Sequence, residues 1–265
     1  MVLIRVIGPG HGDLDGATLS EEYSLRSQTA AWVAQDVSPG ISISCDQVMC
    51  AALKADSFGG KLVVLGPTSP EPPASTLVVV TPAVQSLYGT SLSAAWAPSV
   101  LASFGSGTAE ISVRIIAPHG VGSYQAQART DQGYRISFGT ALLNLNPITL
   151  SASAQQQLTT GQVDQRLLLA LAALATKEPI DILDFASNGP GQSGDVPLRV
   201  ADLAATDQSA NLAQGPYLRA MHEFLDSSQA PFPTTSSVQT LPSQVIFSVV
   251  VGAPTPPGQV SQQLP

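Results

Sequence analysis

A chain of 265 residues, 44% hydrophobic but only 11% charged and carrying a net charge of −8, has the apolar material for a sizeable core and suits two domains of roughly 100–150 residues each. Its three lysines, Lys54, Lys61 and Lys177, and its acidic balance argue against nucleic-acid binding and against a basic patch for anionic lipid. No stretch reaches the roughly 18 apolar residues that span a bilayer. The start, Met1 to Gly8, lacks the positive n-region and full h-region of a signal peptide.

In chain order, residues 1–24 read as an irregular segment. Asp13-Leu-Asp15-Gly16 resembles the start of a calcium loop, but the later ligands are absent and a solvated turn is the simpler reading. Ser27 to Val37 has the spacing of a helix, ended by Ser38-Pro39-Gly40. Ile41 to Cys45 predicts a strand, Val48 to Ala55 a helix and Lys61 to Leu65 a strand. Leu77-Val-Val-Val80 is a continuous apolar run of the kind buried on both faces of a sheet. Leu92 to Ala97 has helical character, and Val100 to Phe104 with Ile111 to Ile116 forms a closing strand pair. Strands alternating with helices predict an α/β fold: a Rossmann-like layered domain with a mainly parallel sheet over residues 25–117. No Gly-x-Gly-x-x-Gly joins a strand to a helix, so no dinucleotide site is expected.

A second, smaller α/β domain is predicted over residues 118–252. Ser123 to Gln132 could open it as a helix, and Ile148 to Ser151 reads as a strand. Gln162 to Thr176 carries the strongest helical periodicity of the chain, through Val163, Leu167, Ala170, Leu171 and Leu174. Ile180 to Phe185 reads as a strand, Ser187 to Val196 as a Gly-rich loop, Leu198 to Ala205 as a helix start, Tyr217 to Leu225 as a helix and Val245 to Val251 as a final strand. The Pro- and Gln-rich residues 253–265 form a tail expected to fray.

Two cysteines, Cys45 and Cys50, admit three readings. A disulfide in an oxidising compartment is favoured. Two buried thiols are the alternative, and a metal pair lacks partners because His11, His119 and His222 are scattered. No Gly-x-Ser-x-Gly is present, since Ser106 has its glycine neighbours directly adjacent. His222, on an apolar helix face, reads as a core residue. No catalytic residue, metal site or cofactor is assigned. Ligand sites in open α/β sheets gather at the carboxyl ends of strands, which makes Asp46, Thr81, Asp184 and Asn188 the best-placed ligand-binding candidates. Asp46 and Asn188 read equally as caps of turns or helices.

The string from Ala31-Trp-Val-Ala34 through Ile41-Ser-Ile-Ser-Cys45-Asp46, Leu62-Val-Val-Leu65, Leu77-Val-Val-Val-Thr81-Pro82 and Leu101-Ala-Ser-Phe104-Gly-Ser-Gly107 to Ile111-Ser-Val-Arg114 resembles the outward-facing C-terminal domain of actinobacterial polytopic glycosyltransferase-like membrane proteins. It is similar also to a group of actinobacterial cell-envelope proteins of unassigned function with Cys-Asp-x-Val-Met-Cys at this place. The resemblance implies an extracytoplasmic location, a membrane-anchored precursor and an accessory role without transferase chemistry. The second half is similar in predicted element order to peptidoglycan-binding domains typified by outer membrane protein A. There Asn188 stands for the family's aspartate and Asp202 for its arginine, a departure that removes the peptide clamp.

The expectation is therefore an extracytoplasmic envelope module that binds a cell-wall glycan or an envelope protein. It has no nucleic-acid partner and no membrane insertion within the chain. The alternatives are an accessory or catalytic domain of an envelope-sugar enzyme, in which Asp46 or Asp184 would meet a second carboxylate, and a peptidoglycan-binding domain with a degenerate motif.

Overall fold

The computed structural model describes residues 12–204, 215–227, 234–241, 245–255 and 258, with side chains from Ser20 onward. It is an α/β structure built on two five-stranded mixed sheets, one from each half of the chain.

The first half begins with a long helix, α1 (Gly12–Asp36), followed by β1 (Ser42–Cys45), α2 (Gln47–Ala55), β2 (Lys61–Val64), β3 (Leu77–Val80), α3 (Pro82–Tyr88), one π turn, β4 (Val100–Phe104) and β5 (Ile111–Ile115). The sheet order is β2-β1-β3-β5-β4. β1 is parallel to β2 and β3, whereas β5 runs antiparallel to β3 and β4. The mainly parallel sheet expected from the sequence is thus parallel only across three strands. The short Gly105–Glu110 connection leaves no room for the crossover that a parallel partner for β4 would need.

Both faces of this sheet are covered. Ile43, Leu77, Val79 and Val113 pack with Trp32 and Val33 of α1 and Met49 and Leu53 of α2. Val78 and Val80 point the other way, into Val84, Tyr88, Leu92 and Trp96. All four residues of β3 are buried, as its unbroken apolar run predicts.

The second half contains α4 (Val121–Leu143), β6 (Ile148–Leu150), α5 (Ala152–Thr159), α6 (Gln165–Ala175), β7 (Ile180–Ala186), β8 (Val200–Ala204), α7 (Pro216–Asp226), β9 (Thr234–Thr240) and β10 (Val245–Val251). The sheet order is β6-β7-β8-β10-β9. Helices α4 to α7 share one core with the inner face of this sheet, through Leu158, Leu167, Leu171, Met221, Phe247 and Val249. β10 alternates buried and half-buried residues along its length, the signature of a sheet with one core face.

The two halves close identically. β3-α3-β4-β5 and β8-α7-β9-β10 are each a strand, a helix and a hairpin whose last strand inserts antiparallel between the other two. They differ at the start. β1 lies inside and β2 at the edge of the first sheet, while β6 lies at the edge and β7 inside the second.

Several expectations are corrected. α1 is helical from Gly12, so the calcium-like Asp13–Gly16 string is not a turn, and no proline interrupts the segment to stop the helix earlier. His11 lies outside the described residues. No helix starts at Leu198: Val200–Ala204 is a strand, its buried and half-buried residues alternating with period two. Strand β9 and helices α3 and α5 were not foreseen. The tail does not fray from its first residue, because Ala253 is fully buried and pairs with Val37 at the end of α1. Among the described residues no helix is long and apolar enough to cross a membrane.

Candidate functional site

The carboxyl ends of β1 and β3 flank the point where the first sheet's connections diverge, one outward to β2 and one across to β3. Ligands commonly enter open α/β sheets there. Here the position is filled from within. Asp46 caps α2, its Oδ1 accepting from the amides of Val48 at 2.9 Å and Met49 at 3.0 Å. Thr81 caps α3 and donates its hydroxyl to Asp46 Oδ2 at 2.5 Å. One carboxylate therefore sits before the positive ends of two helices. Cys45, the last residue of β1, is disulfide-bonded to Cys50 in α2 with a Cα–Cα distance of 5.4 Å. The bridge brackets Asp46 and fixes the strand-to-helix turn. Both Asp46 and Thr81 are buried, and their polar groups serve the fold.

Asp184 lies in β7, directly across from Asp202 of β8. Ser153 donates to Asp184 at 2.9 Å and Ser248 to Asp202 at 2.6 Å. Asp202, which the peptidoglycan-binding likeness placed on a helix, is thus a strand residue facing a second carboxylate. The helix that likeness requires after the Gly-rich loop is replaced by β8. The two acids occupy the sheet face opposite the helical core and are half-buried. Among the described residues no cluster of three or more His, Cys, Asp or Glu side chains is arranged to hold a metal ion.

Asn188 is the centre of a clamp between the halves. Its carbonyl accepts from Trp32 Nε1 of α1 at 2.7 Å, its Nδ2 donates to Asp36 at 2.6 Å, and its Oδ1 accepts from Arg199 at 2.9 Å. The Gly-rich loop that carries it runs along β4, the edge strand of the first sheet: Ser103 N donates to Pro190 O at 2.6 Å and Ser193 N to Val100 O at 2.9 Å. Covering an edge in this way satisfies backbone groups otherwise open to another chain. Gly189 is required here, because a Cβ at that position would lie 2.0 Å from the Leu101 carbonyl.

Arg199 is fully buried. It also donates to Gln192 at 3.1 Å, and desolvation brings its pKa down to about 10, so it remains a cation at neutral pH. Burial also raises the carboxyl of Asp36, against the opposing pull of Asn188 and Arg199. A second buried group completes the junction. Asp164 caps α6, pairs with Arg166 at 2.8 Å and accepts from Thr255 at 2.5 Å. Burial would raise its pKa, but Arg166 and these hydrogen bonds outweigh that and hold it below the usual carboxylate range.

Beside this junction opens a cleft of about 400 Å³. One wall is a face of α4 bearing Gln125, Ala128, Arg129, Gln132 and Arg135. Gly161–Gln162 and the Gly194–Pro197 loop form the rest, with Pro98 at the rim. α4 approaches the turn after α5 so closely that a Cβ on Gly161, whose φ is +68°, would lie 2.8 Å from the Gln132 carbonyl. This contact sets Arg135, whose Nε donates to Gly161 O at 2.8 Å. Tyr124 lines the same space, its hydroxyl pKa raised by burial. Asp195 contributes a carboxylate held by the Ser99 hydroxyl.

None of the four ligand candidates chosen from the sequence lines this cleft. The signal that could have found it is the period of Gln125, Arg129, Gln132 and Arg135, polar groups recurring three and four residues apart. That signal was hidden because the predicted helix ended at Gln132, whereas α4 continues to Leu143. His222 sits edge-on to Phe247, with ring centroids 4.9 Å apart, and shares a hydrogen bond with Ser236 at 2.8 Å. It is satisfied, but half-buried at the edge of the core and not within it as its helix face suggests.

Comparison with known protein families, with characterised proteins and with solved structures finds no match to this chain.

Proposed function

We propose that this chain is a non-catalytic binding module of the cell envelope, which holds a polar ligand in the cleft of its second half, at the border with the first. The observation that carries the reading is the wall of α4. It presents two amides and two guanidiniums to one concave space, beside a junction already made rigid by buried Arg199 and Asp164. Small-molecule sites commonly measure about 300–1,000 Å³ and use a few convergent polar groups, and the cleft falls in that range. The export part of the reading rests on the Cys45–Cys50 bond, since disulfides persist mainly in oxidising compartments. The likeness to outward-facing domains of actinobacterial membrane proteins belongs to the same proposal, as does the anchored precursor.

The test is a panel of cell-wall glycans and muropeptides titrated into the whole chain, with the amide signals of Gln132 and Gln162 followed by NMR. Binding that moves these signals supports the module. Failure of every glycan and muropeptide to bind, with no envelope protein retained on the immobilised chain, would sink it.

A second reading, an envelope-sugar hydrolase, has one observation in its favour: the Asp184–Asp202 pair. Paired carboxylates perform acid–base work on glycosides. Turnover of an envelope glycan that is lost in Asp184→Asn and Asp202→Asn would establish it.

A further inference from the structure

We infer that the ligand of this cleft is an acidic saccharide of one or two rings, whose carboxylate pairs with Arg135 and is drawn in by Arg129. This rests on the cleft being the binding site. The chain carries eight arginines against a net charge of −8, yet two of them line this one cavity with a single carboxylate, Asp195. The side chains lining the cleft therefore carry more positive than negative charge, with the buried carboxylates of Asp164 and Asp131 acting on Arg135 from behind, and exposed positive charge raises the concentration of anions at that point.

Arg135 is the sharper of the two. Its residue is 8% exposed, and among the described residues the guanidinium makes no ion pair and bonds only through Nε, to Gly161 O. Asp131, one helical turn away, is engaged by Gln127 and by the amide of Gly258 instead. The terminal nitrogens of Arg135 are not among the side-chain atoms sealed from solvent without a partner. In a side chain this buried, that leaves them facing the cleft. A nearly buried guanidinium with its outer edge unpaired is shaped for a bidentate carboxylate. Around it, Gln125, Gln132 and Gln162 offer amide donors and acceptors matched to hydroxyls, and the ring of Tyr124 offers a face for a sugar. The lining sets these polar side chains beside apolar Pro98, Ala128, Val196 and Pro197, a mixture that suits a saccharide, which carries hydroxyls on its edge and C–H groups on its ring face.

The experiment leaves the protein unaltered first. Uronic-acid and lactyl-bearing disaccharides, their methyl esters and the corresponding neutral sugars are titrated into the full chain by calorimetry at low and physiological salt. The inference predicts that at least one acid binds, that its ester binds about 10- to 100-fold more weakly, and that added salt weakens the acid but not the ester. Arg129→Gln, at an exposed position, should weaken the acid about threefold and the ester by less. Arg135→Lys should cost more than Arg129→Gln, because an ammonium cannot make the forked pair. Equal binding of acid and ester overturns the acidic-ligand inference while leaving the cleft as the site. Binding that leaves the Gln132 and Gln162 signals unmoved, or no binding by any sugar, overturns both.

Discussion

The two sheets end in the same strand-helix-hairpin unit, yet one is clothed on both faces and the other has helices on a single described face. The difference is written in the burial of the strands. β3 is Leu77-Val-Val-Val80, with every side chain buried, whereas β10 alternates through Val245, Phe247, Val249 and Val251 inward and Ile246, Ser248 and Val250 outward. In the first sheet, α1 and α2 cover one side while α3 and the π turn cover the other. In the second, four helices crowd one side. A single topology thus tolerates either layer plan, and the apolar pattern of each strand decides which is built. The freer second half then spends its connections elsewhere: the loop after β7 and the residues after β10 reach over to the first half and fasten the two together.

The strongest way to break this arrangement is to cut that fastening. Arg199→Ala removes a buried cation and leaves Asn188 and Gln192 with unmet acceptors. It should cost about 1–3 kcal/mol for each acceptor left unmet, and denaturant unfolding should change from one transition to two as the halves uncouple. A single transition at nearly unchanged midpoint would show that the clamp is dispensable.

The next effect is confined to the first half. Replacing Cys45 and Cys50 by alanine opens only a short loop, and the chain-entropy relation gives a loss of about 2 kcal/mol. Thermal melting with and without reductant should show the same loss in the natural chain and none in the variant.

A matched pair of substitutions sharpens the contrast between the sheets. Val78→Thr buries a hydroxyl in the second core layer of the first sheet and should cost about 1–3 kcal/mol. Val250→Thr, on the half-buried outer face of the second sheet, should cost less than about 0.5 kcal/mol. Equal losses would contradict the difference in layering.

The smallest effect is in pH dependence at the junction. Asp164 has its folded-state pKa held below the unfolded value. Its stabilising contribution is therefore present above the ordinary carboxylate pKa of about 4 and is lost as pH falls below it. Asp36 is raised by burial, so its ionisation opposes folding, and it regains stability as it is protonated. Asp164→Asn should flatten the acid limb of a stability-versus-pH curve, and Asp36→Asn should steepen it.

The first half was largely legible in the sequence because its signals are local. The alternation of Ile41–Cys45, Val48–Ala55 and Lys61–Leu65 needs only neighbouring residues to declare strand, helix and strand, and of the three readings open to Cys45 and Cys50 the structure has the disulfide. β9 was missed because Thr234–Thr240 has no apolar alternation of its own and is a strand by pairing with β10. Val200–Ala204 was misread because a period-two pattern over five residues is too short to separate from the start of a helix. The sites followed the same rule. Asp46 and Thr81 were placed correctly at strand ends, but nothing local reveals that each consumes the other. Asn188 was picked for its loop, while its partners Trp32 and Asp36 lie more than 150 residues away in sequence. The cleft combines α4 with loops from both halves, so no single window of the chain contains it.

The most direct measurement is a crystal structure of the whole chain soaked with the tightest-binding acidic disaccharide. The account predicts sugar density in the cleft, its carboxylate against the outer nitrogens of Arg135 and its hydroxyls on Gln132 and Gln162. Density instead at Asp184 and Asp202, across the outer face of the second sheet, would contradict it and favour the hydrolase.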